Sequence, residues 1–485
     1  MYVNNMHAFR AAFIVAHLLI VTLLFQSVNF SHSLNPLGST LGTGLSGVAS
    51  SSLSRRALLQ TTLATTSLVT SKTSQLELPT PPYNPSQQFP RSLFSYTLLP
   101  LTSTLTGNIP TLQSTLIPSK LYSHTQPLGI VNVNTPLNSF AQITPSGLTI
   151  INPLQPTPEY LSLLSSLTKS YGPISHIILT SSAVEHRSSF NTFSQYFPDA
   201  CKYVPEGLYS FPFDLPSEFL GLKGGKVFKL KERLPPDIEV EFLGPFKFKS
   251  IGTFVESTLY IPSLKTLIST DTVCSITENV PKILLEDRRG LLYHARDGVE
   301  EYVEDREAEW RKGWKRMSLF GLCFFPRGIK VDSVLEAFSS SRKVDSRMKN
   351  LDDQGVPFNL YPWKWVGDID ESFKGYGDGK LFVPPILTKL ILDREPAAVE
   401  RWMERVCRWD FDRVVHVHFN EETRAGPEDF KNAVREFLDG RSRFLPGDLA
   451  LLQEASDVLT KVGVVAESKI CDGEKGRGDL GRRFS

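Results

Sequence analysis

Two spacings of apolar residues run along the chain, and each predicts its own kind of element. Short runs rich in Ile, Val, Leu, Phe and Thr, bounded by Pro, Gly, Ser or Asn, predict strands. They fall at residues 130–133, 140–143, 148–151, 177–180, 201–204, 238–242, 246–251, 258–261, 266–269 and 413–419. The runs at 258–261 and 266–269 flank Pro262 and Ser263 and predict a hairpin that ends on Thr270, Asp271 and Thr272. Helical spacing starts at Thr157, a cap followed by Pro158. Leu161, Leu163, Leu164 and Leu167 form the apolar face, and Gly172-Pro173 stops the helix. Further helices are predicted over 188–197, 298–325, 384–392, 397–409 and 427–438. Strands, a helix, more strands and then terminal helices predict an α/β or α+β sandwich, with sheets inside and helices outside.

Composition narrows the function classes. The chain of 485 residues is 41% hydrophobic and 21% charged with a net charge of +1, an ordinary globular balance that argues against a nucleic-acid partner. Cysteines stand at 201, 274, 323, 407 and 471, odd in number and with no C-x-x-C pair. That pattern excludes a disulfide framework and a cysteine zinc knuckle and predicts buried, small apolar residues.

The N-terminal region predicts addressing rather than structure. No Asp or Glu precedes Glu77. An apolar run over 11–25 follows Arg10 and resembles the core of a secretory signal, too short for a transmembrane helix. An acid-free Ser/Thr/Gly/Leu segment over 31–54 resembles a plastid transit peptide. Ser54-Arg55-Arg56 then opens a second apolar run ending near Val69, as in a twin-arginine export signal. This order predicts import into a plastid (chloroplast) and delivery to the thylakoid lumen. One long transit peptide with a chance arginine pair, or a first run kept as an anchor, are the alternatives. The expected organisation is a presequence over 1–75, a Pro/Ser/Thr-rich linker over 76–125, a domain over 126–440 and a charged, partly disordered tail over 441–485. The mature chain is expected to have no stable transmembrane segment, and its partner to be a small molecule or another plastid protein.

Chemistry-bearing residues collect at strand ends. Glu185 and His186 follow the strand at 177–180, Asp271 follows 266–269, and His418 closes 413–419. Rigid strand ends deliver side chains into a cleft outside a sheet. A capped helix start is the plainer reading of Glu185 and His186 taken alone.

The order of these signals resembles the metallo-β-lactamase fold, whose members carry T-H-x-H-x-D-H after one strand, a later His, an Asp in a G-D-T-like turn and a final His. Thr180-Ser181-Ser182-Ala183-Val184-Glu185-His186 aligns with the first motif, Asp271-Thr272 with the turn, and His418 with the final His. More closely, the chain resembles the uncharacterised domain-of-unknown-function family 4336 from about residue 125 to 440. The stretches that carry this are Thr270-Asp271-Thr272-Val273, Leu292-Tyr293-His294-Ala295-Arg296-Asp297, Arg311-Lys312-Gly313-Trp314-Lys315-Arg316-Met317, Val383-Pro384-Pro385-Ile386-Leu387 and Arg394-Glu395-Pro396. The resemblance implies an αβ/βα sandwich with extra C-terminal helices.

The chain departs from the active pattern in a consistent way. Ser181 and Ala183 replace the two leading His, and no His occurs in 251–256. The resemblance therefore implies loss of the first metal and a reduced site of Glu185, His186, Asp271 and His418, which could take one zinc or iron ion, or none. With a metal, Asp271 and His418 would also serve catalysis in a hydrolase of a small ester, thioester or phosphoester. Without one, the four residues are remnants on a non-catalytic binding or assembly factor of the thylakoid. In the metal reading the ligand atoms should lie within about 4 Å of one another.

Other clusters carry two readings each. His294, Arg296 and Asp297 form either a polar group at the site mouth or a salt-bridged helix start. Arg306, Arg311, Lys312, Lys315 and Arg316 form either an anion site or, with their acidic neighbours, a solvated helix face. Trp310, Trp314, Trp363 and Trp365 either line an apolar pocket for a pigment, lipid or quinone or pack a core. His416 either supports His418 or is a core histidine bonded to the backbone. Ser181 and Ser182 lack a nucleophile elbow motif.

Overall fold

Period-two alternation along a few strands separates two cores. A computed structural model of the chain describes residues 109–470, apart from 131–132, 207–226, 250–251, 325, 333–335, 337–338 and 344–360. The first sheet holds β1 (Leu112–Ile117), β2 (Leu121–Ile130), β3 (Val133–Thr144), β4 (Gly147–Ile151), β5 (Ile174–Ile178), β6 (Cys201–Val204) and β7 (Val227–Lys229), in that spatial order. Its first four strands pair antiparallel, and β4 to β7 pair parallel. Helix α1 (Pro158–Tyr171) crosses between β4 and β5, and Thr157 caps it as expected, accepting from Tyr160 N at 3.2 Å. Helix α2 (Val184–Tyr196) crosses between β5 and β6.

The second sheet contains β8 (Glu239–Phe248), β9 (Gly252–Ile261), β10 (Thr266–Ser269), β13 (Arg413–His416) and β14 (Glu422–Thr423), ordered β14-β13-β10-β9-β8. The hairpin at Pro262 and Ser263 is present. Only β10 and β13 run parallel in this sheet, with Ser269 opposite His416. Along these strands Leu259, Ile261, Ile268 and Val415 face Ile150, Ile177 and Phe140 of the first sheet. Their sequence neighbours Tyr260, Leu267 and Val414 point the other way, onto Trp402 and Phe430 of α8 (Pro396–Val406) and α9 (Pro427–Leu438). Both sheet faces are therefore dry, which is why these strands read as unbroken apolar runs. Two facing sheets with helices outside make the metallo-β-lactamase-like αβ/βα sandwich that the motifs implied.

A third apolar cluster supplies the extra helices. It joins α3 (Lys282–Glu286), α4 (Arg289–Ala295), α5 (Glu307–Cys323), the β11 (Ile329–Val331) and β12 (Trp363–Trp365) pair, α6 (Asp370–Tyr376), α7 (Pro385–Leu390) and α10 (Pro446–Lys461). Trp314, Trp363 and Trp365 are buried in it beside Tyr361, Tyr293 and Phe320, so they pack a core. The charged face of α5 is a solvated one: Arg311 pairs with Glu307, Arg306 with Glu309, and Lys315 with Asp370. Arg316 donates to the carbonyls of His294, Ala295 and Arg296 and pairs with Asp297, so that cluster ties α5 to the end of α4.

Several boundaries differ from the sequence reading. The sheet begins at Leu112, so β1 and much of β2 occupy the stretch assigned to the linker over 76–125. In the stretch assigned to the tail over 441–485, α10 folds because Leu449 and Leu452 join the third cluster. The strand expected over 413–419 ends at His416. The addressing segments of 1–75 and the end of the tail lie outside the described residues. No helix among the described residues is long and apolar enough to cross a membrane. Cys274 and Cys323 are buried, Cys201 and Cys407 half-buried, and all four are free thiols.

Candidate metal centre

Strand pairing sets the site. Because Ser269 and His416 lie opposite each other on parallel neighbours, Asp271 and His418, each two residues further on, leave the same sheet edge side by side. Val417 N donates to Ser269 O at 3.0 Å and Asn138 N to Val417 O at 2.7 Å, which holds the turn. Phe419 then takes a left-handed conformation, φ 65°, turning the chain away after His418.

The other sheet supplies Glu185 and His186. They sit in the first turn of α2, which starts at Val184, earlier than the start at 188 that the sequence suggested. No side chain caps this helix; the Ser181 hydroxyl accepts from the N–H of Ala183, the residue just before it, at 3.1 Å and fixes the chain there. A carboxylate in the first turn is favoured by the helix dipole. An isolated bridge between Ser181 and Glu256 of β9 locks this segment to the second sheet.

Four ligand-bearing side chains converge here. One ligand atom from each of Glu185, His186, Asp271 and His418 lies within 4.8 Å of the others. Asp271 Oδ1 is 3.0 Å from His186 Nε2 and 3.1 Å from His418 Nε2, and the two rings stand edge to face at 5.2 Å. Ser181 Oγ donates to Asp271 Oδ2 at 2.6 Å. A carboxylate accepts only, so both imidazoles carry their proton on Nε2. The side chains of His186, Asp271 and His418 are 0%, 8% and 15% exposed, so accessibility rises towards His418.

Electrostatics follow from that geometry. Burial alone would raise the Asp271 carboxyl, but His186 and His418 outweigh it and hold it far below the usual carboxylate range. Burial pulls the His186 imidazole down, and Asp271 more than offsets this, leaving it above an ordinary histidine. Glu256 is pushed up to about 7, first by burial and then by the charge of Asp271.

His416 is not part of this group. Its Nδ1 lies 3.2 Å from Val273 O and its Nε2 3.0 Å from Thr423 Oγ1, so it is the backbone-bonded core histidine. Burial lowers it to about 4. Glu256 escaped the sequence reading. It is the one charged residue in β9, all of whose ten positions are buried, and a lone acid in a dry strand was the available signal.

The donor set fits a single ion of the zinc or iron type: two imidazole nitrogens and two carboxylates. In a tetrahedral site such atoms stand about 3.4 Å apart. The two His–Asp separations of 3.0 and 3.1 Å already meet that, while the widest separation of 4.8 Å exceeds both this and the 4 Å expectation. His186 Nδ1 is buried and has no hydrogen-bond partner among the described residues, so the support that usually orients a ligating imidazole from behind is missing there.

Comparison with known proteins gives a family. The model of the family described as "Domain of unknown function (DUF4336)" matches residues 118–436, and the chain belongs to that family. No curated protein matches it. Similar solved structures include a metal-soaked Flv1 flavodiiron core from Synechocystis sp. PCC6803, at 10% identity and TM-score 0.34, covering 68% of this chain and 61% of that one. The chain thus spans about three fifths of that flavodiiron core. They also include the mono-zinc form of the metallo-β-lactamase FIM-1 from Pseudomonas aeruginosa, at 9% identity and TM-score 0.31, covering 72% and 97%. A metallo-β-lactamase from Pontibacter korlensis matches at 13% identity and TM-score 0.30, covering 68% and 99%.

Proposed function

We propose that this member of DUF4336 holds one zinc or iron ion through Glu185, His186, Asp271 and His418 and hydrolyses a small ester, thioester or phosphoester. The observation that carries this reading is the convergence within 4.8 Å of four ligand-bearing side chains drawn from both sheets. When bound, the ion polarises a carbonyl or phosphoryl oxygen and lowers the pKa of its water. His186, fully buried, anchors the set. His418, the most exposed of the three residues joined at Asp271 Oδ1, would offer its Nε2 to the ion on the side nearest solvent, giving up the Nε2 proton when the ion binds. The acid-free order of the N-terminal segments supports a plastid, and within it the thylakoid lumen, as the compartment. A fluorescent fusion of residues 1–75 that stays in the cytosol would contradict that assignment.

The test is hydrolysis of p-nitrophenyl acetate, an acyl thioester and bis(p-nitrophenyl) phosphate by zinc- and iron-loaded protein. Turnover of at least one class, lost in Asp271→Asn and His418→Ala, is expected. A metal-bearing protein inert toward all three would sink the hydrolase.

A second reading, a non-catalytic binding or assembly factor of the thylakoid, draws on one observation. Both oxygens of Asp271 already have protein donors, from His186 and His418 on one side and Ser181 on the other. Under this reading the purified protein carries no metal.

A further inference from the structure

Glu256 is fully buried at the middle of β9. Its carboxylate accepts from three consecutive backbone amides: Thr270 N at 3.0 Å, Asp271 N at 3.1 Å and Thr272 N at 2.8 Å. The Thr272 hydroxyl donates to it as well. Every one of these bonds is donated to Glu256, the pattern of an ionised carboxylate. The three amides belong to the turn that leaves β10 and carries Asp271. Glu256 also meets the other half of the centre through its backbone. Ser181 bridges to it, Ser257 N donates to Thr180 O at 2.7 Å and Ser182 N to Val255 O at 2.9 Å. Ser181, fixed in this way, holds Asp271 Oδ2. One residue thus sits behind the carboxylate that both imidazoles share.

We propose that Glu256 is the positioning residue of this centre: by gathering the amides of Thr270, Asp271 and Thr272 it aims the Asp271 carboxylate between His186 and His418. A carboxylate that only stabilised the turn would leave the imidazoles unaffected when altered. One that aims Asp271 sets which imidazole nitrogen carries the proton and how tightly an ion is held. The second consequence rests on the metal reading; the first does not.

The experiment uses the full chain with 15N-labelled histidine, in wild type, Glu256→Gln and Thr272→Val. His186 and His418 signals are assigned through their single alanine variants. In the metal-free protein, long-range 1H–15N spectra should show Nε2–H imidazoles at both positions in the wild type. In Glu256→Gln both should shift towards a mixture of tautomers, and zinc affinity should fall about 10- to 100-fold. Thr272→Val, which removes only the hydroxyl donor, should move the same two signals in the same direction by less. A folded Glu256→Gln with unchanged imidazole signals overturns the proposal whatever zinc does. If Glu256→Gln does not fold, unchanged signals in Thr272→Val overturn it. A wild type that takes no zinc removes the metal reading and leaves Glu256 judged by the imidazole signals.

Discussion

Ser181 Oγ stands 2.6 Å from Asp271 Oδ2, a hydroxyl-to-carboxylate contact that joins the end of β5 in one sheet to the end of β10 in the other. The family resemblance implies that a histidine of the active pattern would stand where Ser181 does. Here the position holds the Asp271 carboxylate from behind instead of offering a ligand. The same hydroxyl accepts from the N–H of Ala183, the residue that precedes α2.

Ser181→Ala removes both contacts. A hydrogen bond to a buried charge contributes about 2 kcal/mol, and the bond from Ala183 N about 1 kcal/mol more. Urea unfolding should therefore show a loss of about 2–3 kcal/mol, with the Asp271 pKa rising. A variant as stable as the wild type would show that the contact contributes nothing.

His416 gives a pH dependence with a definite sign. Its Nδ1–H donates to Val273 O and its Nε2 accepts from Thr423, so the fold holds it neutral. Burial places it at about 4 in the fold against 6.5 for an ordinary histidine. The unfolded chain thus takes up its proton first as pH falls. The stability is fully present above 6.5, declines between 6.5 and 4 and is lost below 4. The whole effect is on the order of 3 kcal/mol. In His416→Asn the dependence disappears, so the stability gap between wild type and variant should narrow from pH 7.5 to pH 4.5. A constant gap contradicts the assignment. His124, also buried and lowered to about 3, is present in both proteins and cancels.

Gly313 lies within α5, where glycine is a poor helix former. A Cβ added there would collide with the carbonyl oxygen of Leu291, a backbone atom of α4 that cannot give way. Gly313→Ala gains about 1 kcal/mol of helix propensity. It forces the two helices apart at a cost of about 3 kcal/mol or more. A net loss of about 2 kcal/mol in denaturant unfolding is expected. A stabilised variant would show that α4 and α5 do not meet this closely.

What was legible in the sequence, and what was not, divides by the range of the interactions. Local signals carried the Thr157 cap, the hairpin at Pro262 and Ser263, and α9, whose predicted span of 427–438 matches Pro427–Leu438. Asp271 and His418 were legible as strand-end residues. β1 and β2 were not, because Ser123, His124, Thr125 and Gln126 are all buried polar residues in β2 and erase the apolar alternation. Ser114, Ser123 and Thr125 instead donate to Glu421, which lies about 300 residues away in sequence. Glu256 was hidden for a related reason. Its partners are backbone amides of a turn 14–16 residues later, which no side-chain motif reports.

On the proposed reading, Glu185, His186, Asp271 and His418 hold a single ion. The most direct test is metal content by mass spectrometry on the purified protein beside a His186→Ala/His418→Ala double variant. About one zinc or iron per chain in the wild type, absent from the double variant, is the predicted result. No metal in a wild type whose fold is intact by circular dichroism would contradict the claim. The four residues would then be a hydrogen-bonded polar cluster on a binding scaffold.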